Sequence, residues 1–148
     1  MPNIFGINVT VPSESWRRGA ALEELDKSLK AIPTAGYTEI WVNHDSFPAL
    51  CVLVNGEQAW LMCLRFSGDA GFSSRNPSFV GKPDTTLEYY LSNGQRDIYP
   101  AAWAYPTKRA LEAVSFFAER RQVPDWIGWF NDSEDGTASP NDEWKEQV

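Results

Sequence analysis

Residues 47–66 read FPALCVLVNGEQAWLMCLRF, two apolar, β-favouring runs joined by Asn55-Gly56. Asn-Gly between such runs signals a two-residue hairpin, because a type I′ turn needs positive φ at both central positions. With Asn55-Gly56 as the turn, Val54 faces Glu57, Leu53 faces Gln58, Cys51 faces Trp60 and Ala49 faces Met62. Side chains alternate faces along a strand, so Cys51 falls on one face and Cys63, opposite Pro48, on the other; no disulfide between them is expected. Leu53, Cys51, Trp60 and Met62 make one face apolar, and Leu50, Val52 and Leu61 the other. A hairpin apolar on both sides belongs in the middle of a sheet and needs cover on both, a helix on one side and a partner or loop on the other.

Upstream, Phe5, Ile7, Val9 and Val11 alternate with smaller or polar residues from Asn3 to Val11, the period of a half-buried strand. Between Trp16 and Ile32, Leu22, Leu25, Leu29 and Ile32 recur every three or four residues, predicting an amphipathic helix ended by Pro33. Thr38 to Asn43 (TEIWVN) reads as a short strand leading through His44-Asp45-Ser46 into the central hairpin, which gives a three-stranded meander.

Downstream, Ser67 to Lys82 is rich in Gly, Ser, Asn and Pro and predicts a long loop with Phe72 and Phe79 pinned to the body. Thr85–Leu91 and Gln95–Tyr99 flank Ser92-Asn93-Gly94, a second hairpin expected to extend the sheet, with Pro100 marking an edge strand. A second helix is predicted from about Pro106 to Gln122, with Ala110, Leu111, Val114, Phe117 and Ala118 as its buried stripe. Asp125 to Phe130 reads as a last short strand. One domain over 1–130 is expected. The segment Asn131 to Val148 holds six acids (Asp132, Glu134, Asp135, Asp142, Glu143, Glu146) against one base, Lys145, a composition that predicts a solvated, flexible tail. Trp144 is its one aromatic, available to dock on the body or on a partner.

The chain has 148 residues, a net charge of −7, a pI of about 4.7 and seven tryptophans. That length buries roughly 70% of the surface of the unfolded chain without help from metal or disulfide. The negative charge argues against nucleic acid or an anionic membrane as partner and allows docking on a basic protein. No run approaches the ~20 apolar residues that cross a bilayer, and Met1-Pro2-Asn3-Ile4 does not open like a signal peptide. With two unpaired cysteines, a reducing cytoplasm is the expected location.

Chemistry-bearing motifs are sparse. His44 is the single histidine, and a metal site built on His44-Asp45 lacks the remaining ligands. Cys51 and Cys63 sit in the most apolar strands, the setting of inert buried thiols. Ser67-Gly68-Asp69 and Gly71-Phe72-Ser73-Ser74 lack the strand-turn-helix frame of a hydrolase nucleophile, no glycine pattern matches a phosphate loop, and Glu23-Glu24 and Glu134-Asp135 read as solvated charge. The expectation is a protein without catalysis, cofactor or metal.

In sequential order, LCVLVNGEQAWLMCLRF, the loop through Gly71 and Ser74, LEYYLSNG, YPTKRALEAVSFFAERRQVP and Pro124-Asp125-Trp126-Ile127-Gly128-Trp129 resemble immunity family one, the deaminase-inhibitor type, of bacterial polymorphic-toxin systems. Phe116-Phe117, Pro124 and Trp129 occupy places characteristic of that family, and Arg120-Arg121-Gln122 stands where it has a glycine. The resemblance covers roughly residues 38 to 130. It implies a small cytoplasmic α+β protein that binds and neutralises a cognate toxin domain, a nucleic-acid-targeting deaminase or nuclease, by occluding its active site. A secretion chaperone or adaptor for such an effector is the alternative. The expected fold is α+β, a mostly antiparallel sheet of about five to seven strands with two helices on one face. The candidate contacts are exposed aromatics and acids: Glu88, Tyr90 and Asp97 on the second hairpin, Trp103 and Tyr105 before the second helix, and Asp132, Glu134 and Asp135 in the tail.

Overall fold

The computed structural model describes residues 3–142. In chain order its elements are β1 (Ile4–Val11), α1 (Ser15–Lys30), β2 (Tyr37–His44), β3 (Ala49–Asn55), β4 (Gln58–Leu64), β5 (Phe72–Arg75), β6 (Thr86–Tyr90), β7 (Arg96–Pro100), a 3-10 turn (Ala101–Trp103), β8 (Tyr105–Pro106), α2 (Thr107–Arg120) and β9 (Gly128–Asn131). The main sheet has seven strands in the order β1-β2-β3-β4-β5-β9, with the short β8 also paired to β4. β1 and β2 run parallel because α1 carries the chain back between them. All other pairings are antiparallel, so the fold is α+β with a mixed, mostly antiparallel sheet.

The central hairpin closes differently from the sequence expectation. Asn55 pairs with Gln58, which makes Gly56-Glu57 the two loop residues, with Gly56 at φ +59°. The register therefore shifts by two residues, placing Cys51 opposite Met62, Leu53 opposite Trp60 and Cys63 opposite Leu50. A shift of two leaves every side chain on its expected face, because the pleat repeats every two residues.

Both helices cover one face. Leu25 and Leu29 of α1 and Ala110, Val114, Phe117 and Ala118 of α2 bury against Ile7, Val9, Val11, Ile40, Val42, Leu50, Val52, Leu61 and Cys63. Arg18 on α1 donates to the Glu119 carbonyl on α2. The second helix stops at Arg121, which takes left-handed backbone (φ 57°) and donates its N–H to the Phe117 carbonyl. Residue 121 thus performs the C-terminal stop that usually favours glycine.

Three expectations need correction. The stretch 67–82 is not all loop: Phe72–Arg75 forms β5, with Phe72 fully buried, while Phe79 is half-buried. The second hairpin does not lengthen the main sheet. β6 and β7 pair only with each other and lie across the face opposite the helices. Residues 131–142 are folded onto the body rather than forming a free tail: Asp132 N–H donates to Gly71 O at 2.8 Å, and the Asn141 side chain bridges Val123 N and O at 2.8 and 2.9 Å. Acid content there did not predict order, because Asn131, Ser133 and Asp135 turn the chain through their own side-chain hydrogen bonds. Trp144 lies outside the described residues. No helix among the described residues is long and apolar enough to cross a membrane.

Candidate protein-docking face

The face opposite the helices carries Trp41, Cys51, Leu53, Trp60 and Met62, and the inner side chains of the small sheet, Leu87, Tyr89, Leu91 and Tyr99, pack on it. Polar clamps hold this cover in place. Asn55 Nδ2 donates to Glu88 O at 2.9 Å, Tyr37 OH to Glu88 Oε1 at 3.1 Å, and Ser92 N to Glu39 Oε1 at 2.9 Å. Burial pushes the Glu39 carboxyl up, but the hydrogen bonds from Ser92 and Trp41 outweigh it and hold the group below its ordinary value. Glu39 therefore clamps the hairpin tip as a carboxylate.

From this cover an aromatic ladder runs toward β5 and β9. The Tyr99 ring stacks on Trp60 at 4.2 Å and 7°, and Trp103 follows at 5.9 Å and 29°. The Arg75 guanidinium carbon lies 3.5 Å from the centroid of the Trp103 ring and 4.7 Å from that of Phe130, which is 50% exposed. Arg75 Nη1 donates to Ser73 Oγ at 3.0 Å, and Ser73 OH donates to Asp132 Oδ2 at 2.7 Å. Burial pushes the Tyr99 hydroxyl well up, helped by the charge and hydrogen bond of Asp97 and by the charge of Asp132. Tyr99 thus feels an acid at each end of the strip. Burial also lowers Arg75, against the pull of Asp132. Together Asp97, Tyr99, Trp103, Arg75, Phe130 and Asp132 form a strip of stacked rings around one cation, with an acid at either end.

The expected contact residues fall in three places. Asp97, Trp103 and Asp132 belong to this strip. Glu88 and Tyr90 lie on the outer side of the small sheet, where Glu88 is engaged by Arg96 at 2.7 Å and Tyr90 meets the Tyr37 ring edge-on at 4.8 Å. Glu134 is exposed at the C-terminal turn, and Asp135 pairs with Arg65 at 2.9 Å. Tyr105 is a correction, because it is buried: its hydroxyl donates to Arg75 O and accepts from Gly128 N, each at 2.8 Å, tying β5 and β9 to the start of α2. Sequence reasoning missed Arg75, Tyr99 and Phe130. The available signal was the alternation of Phe72-Ser73-Ser74-Arg75 and of Trp129-Phe130, obscured by polar composition.

Charge is unevenly distributed. Residues 14–30 and 107–121, the helical layer, hold eight bases and six acids, whereas the rest of the described chain holds four bases and twelve acids. Two of those four bases are already engaged, Arg65 by Asp69 and Asp135, and Arg96 by Glu88.

The isolated chemical groups have structural partners. His44 is buried, with Nε2 2.7 Å from Phe117 O, so the ring donates from Nε2 to α2. Burial lowers its pKa, Arg18 and Arg121 add to that, and the Phe117 bond and Asp45 oppose it. Asp45 turns away to accept from Ser13 N at 3.3 Å. Burial pushes both the Cys51 and Cys63 thiols well up. Among the described residues, no three or more His, Cys, Asp or Glu side chains converge to hold a metal. Compared with known proteins, the chain matches no protein-family model and no curated protein.

Proposed function

We propose that this protein is a cytoplasmic immunity protein that binds and neutralises a cognate polymorphic toxin, a nucleic-acid-targeting deaminase or nuclease, by covering its active site with the face opposite the helices. The observation that carries this reading is the strip Asp97–Tyr99–Trp103–Arg75–Phe130–Asp132. Interface hot spots favour Trp, Tyr and Arg. Here these groups are already stacked before any partner arrives, which lowers the entropy cost of association. The excess acid outside the helical layer suits the basic cleft of an enzyme acting on nucleic acid, where opposite charge speeds encounter and aromatic anchors slow release.

The test is co-expression with the toxic C-terminal domain encoded beside it, scoring survival and co-purification together. Survival with a one-to-one complex supports inhibition. A complex that forms outside the toxic domain and leaves toxicity intact identifies a secretion adaptor instead.

A further inference from the structure

We infer that two copies of this chain associate through β1, antiparallel, into one continuous sheet. β1 is the outermost strand of the main sheet, and among the described residues no strand pairs with its outer side. Val11 O accepts from Asp45 N at 3.0 Å on the β2 side. Backbone direction alternates, so Phe5, Ile7, Val9 and Val11 turn their backbone groups to β2, whereas Gly6, Asn8 and Thr10 turn theirs outward. Exposed edges are normally blunted by charge, proline or a bulge. The eight residues IFGINVTV carry no charge and no proline, and they keep unbroken register with β2 from Ile4 to Val11.

The edge is complementary to itself. A two-fold axis at Asn8 sets Asn8 opposite Asn8 and Gly6 opposite Thr10 of the second copy, all outward-turned residues, with two backbone hydrogen bonds for each such pair. The same register puts the second copy's Phe5 opposite Val11 on the helix side. There a cleft of about 350 Å³, with Thr10, Pro12, Trp16, Ala20 and Ala21 among its walls, stands open beside the strand. Trp16 is 79% exposed at this cleft. Covering both Trp16 rings, at ~150–250 Å² each, adds apolar area to that of the paired strands and Phe5 rings, toward the ~1,200 Å² where specific dimers begin. The paired strands bring no charge to the contact, and the two charged walls of the cleft, Arg17 and Glu24, are of opposite sign.

The test is sedimentation velocity on the full chain over a concentration series, with hydrogen exchange on the same samples. The wild type should shift with concentration from 16.7 kDa to twice that mass. The Gly6, Asn8 and Thr10 amides should exchange at least ~10-fold more slowly in the concentrated sample, as expected of amides newly bonded in a strand pair. Asn8→Pro should hold the protein as a monomer, because the Asn8 N–H makes no bond to β2 and an edge strand tolerates proline there. Thr10→Lys, which leaves the backbone alone, should do the same and covers the case in which Asn8→Pro fails to fold. A wild type that stays monomeric at hundreds of micromolar overturns the inference. So does a dimer that survives Thr10→Lys, or one whose β1 amides exchange equally fast at every concentration.

Discussion

Arg65→Met tests what holds the C-terminal turn to the sheet. Arg65 Nε sits 2.8 Å from Asp69 Oδ2 with both side chains 0% exposed, and Arg65 Nη1 reaches Asp135 Oδ2 at 2.9 Å. Two further Arg65 contacts, Nη2 to Asp69 Oδ1 at 2.8 Å and to Ser133 Oγ at 3.0 Å, complete the clamp. Methionine fills most of the volume but leaves the Asp69 carboxylate buried without its cation, a situation that costs about 3–5 kcal/mol. That is a large share of the ~5–15 kcal/mol that keeps a domain folded. Burial pushes the Asp69 carboxyl up, yet the Arg65 hydrogen bonds outweigh it and hold the group below its ordinary range. In the wild type this stability is present above the unfolded value near ~3.9 and is lost as pH falls through the lowered folded value. In Arg65→Met the same carboxyl keeps its backbone hydrogen bonds from residues 65 and 71 but is buried without its cation, so its pKa rises and it protonates more readily. The gap between variant and wild type should therefore be widest at pH 7 and shrink toward pH 4. Urea unfolding at both pH values measures it, with the m-value unchanged. A loss under ~1 kcal/mol, the scale of an exposed pair, or a gap independent of pH, would refute the assignment of a buried, charge-bearing clamp.

Other outcomes follow from the same geometry. His44 has a lowered folded pKa, so the folded state binds fewer protons than the unfolded one and stability should fall as pH drops below ~6.5; His44→Gln, read by thermal unfolding at pH 7 and pH 5, should flatten that slope. Cys51 and Cys63 are buried on opposite faces, so a thiol reagent should label neither in the folded protein and both in denaturant. Gly128→Ala places a Cβ 2.4 Å from Arg75 O, which should part β9 from β5 and cost about 1–3 kcal/mol by overpacking, seen as a lower urea midpoint.

Much of the fold was legible because apolar periodicity was strong. Phe5/Ile7/Val9/Val11 marked β1, Leu25/Leu29 and Val114/Phe117 marked the two helices, and the doubly apolar central hairpin required cover on both faces. The sequence could not show that the second hairpin supplies the second cover. Leu87, Tyr89 and Tyr99 alternate equally well in a strand that extends a sheet and in one that lies across it. β5 was hidden because Ser73 and Ser74 are buried through hydrogen bonds to Asp132, Leu61 N and Trp103 O rather than through apolar contact. The ordered C-terminal turn was hidden for a related reason: the cation that organises it, Arg65, lies 70 residues earlier than Asp135. Within the candidate site, Asp97, Trp103 and Asp132 were among the residues singled out from the sequence, but the group at its centre was not. Arg75 acquires its role only when β5 and the turn before α2 bring Trp103 and Phe130 to either side of it.

The most direct measurement is a titration of the proposed cognate toxin's activity with wild-type protein, with Trp103→Ala and with Ile98→Ala. Ile98 is an exposed apolar side chain, at 50%, whereas Trp103 is half-buried; Ile98 lies on the outer side of the small sheet, opposite Glu88. The wild type and Ile98→Ala should abolish activity at one equivalent. Trp103→Ala should remain folded and lose at least ~2 kcal/mol of affinity, the scale of an interface hot spot, or about 30-fold. Full inhibition by Trp103→Ala together with loss in Ile98→Ala would move the docking face elsewhere, and no inhibition by the wild type would contradict the immunity reading for that toxin.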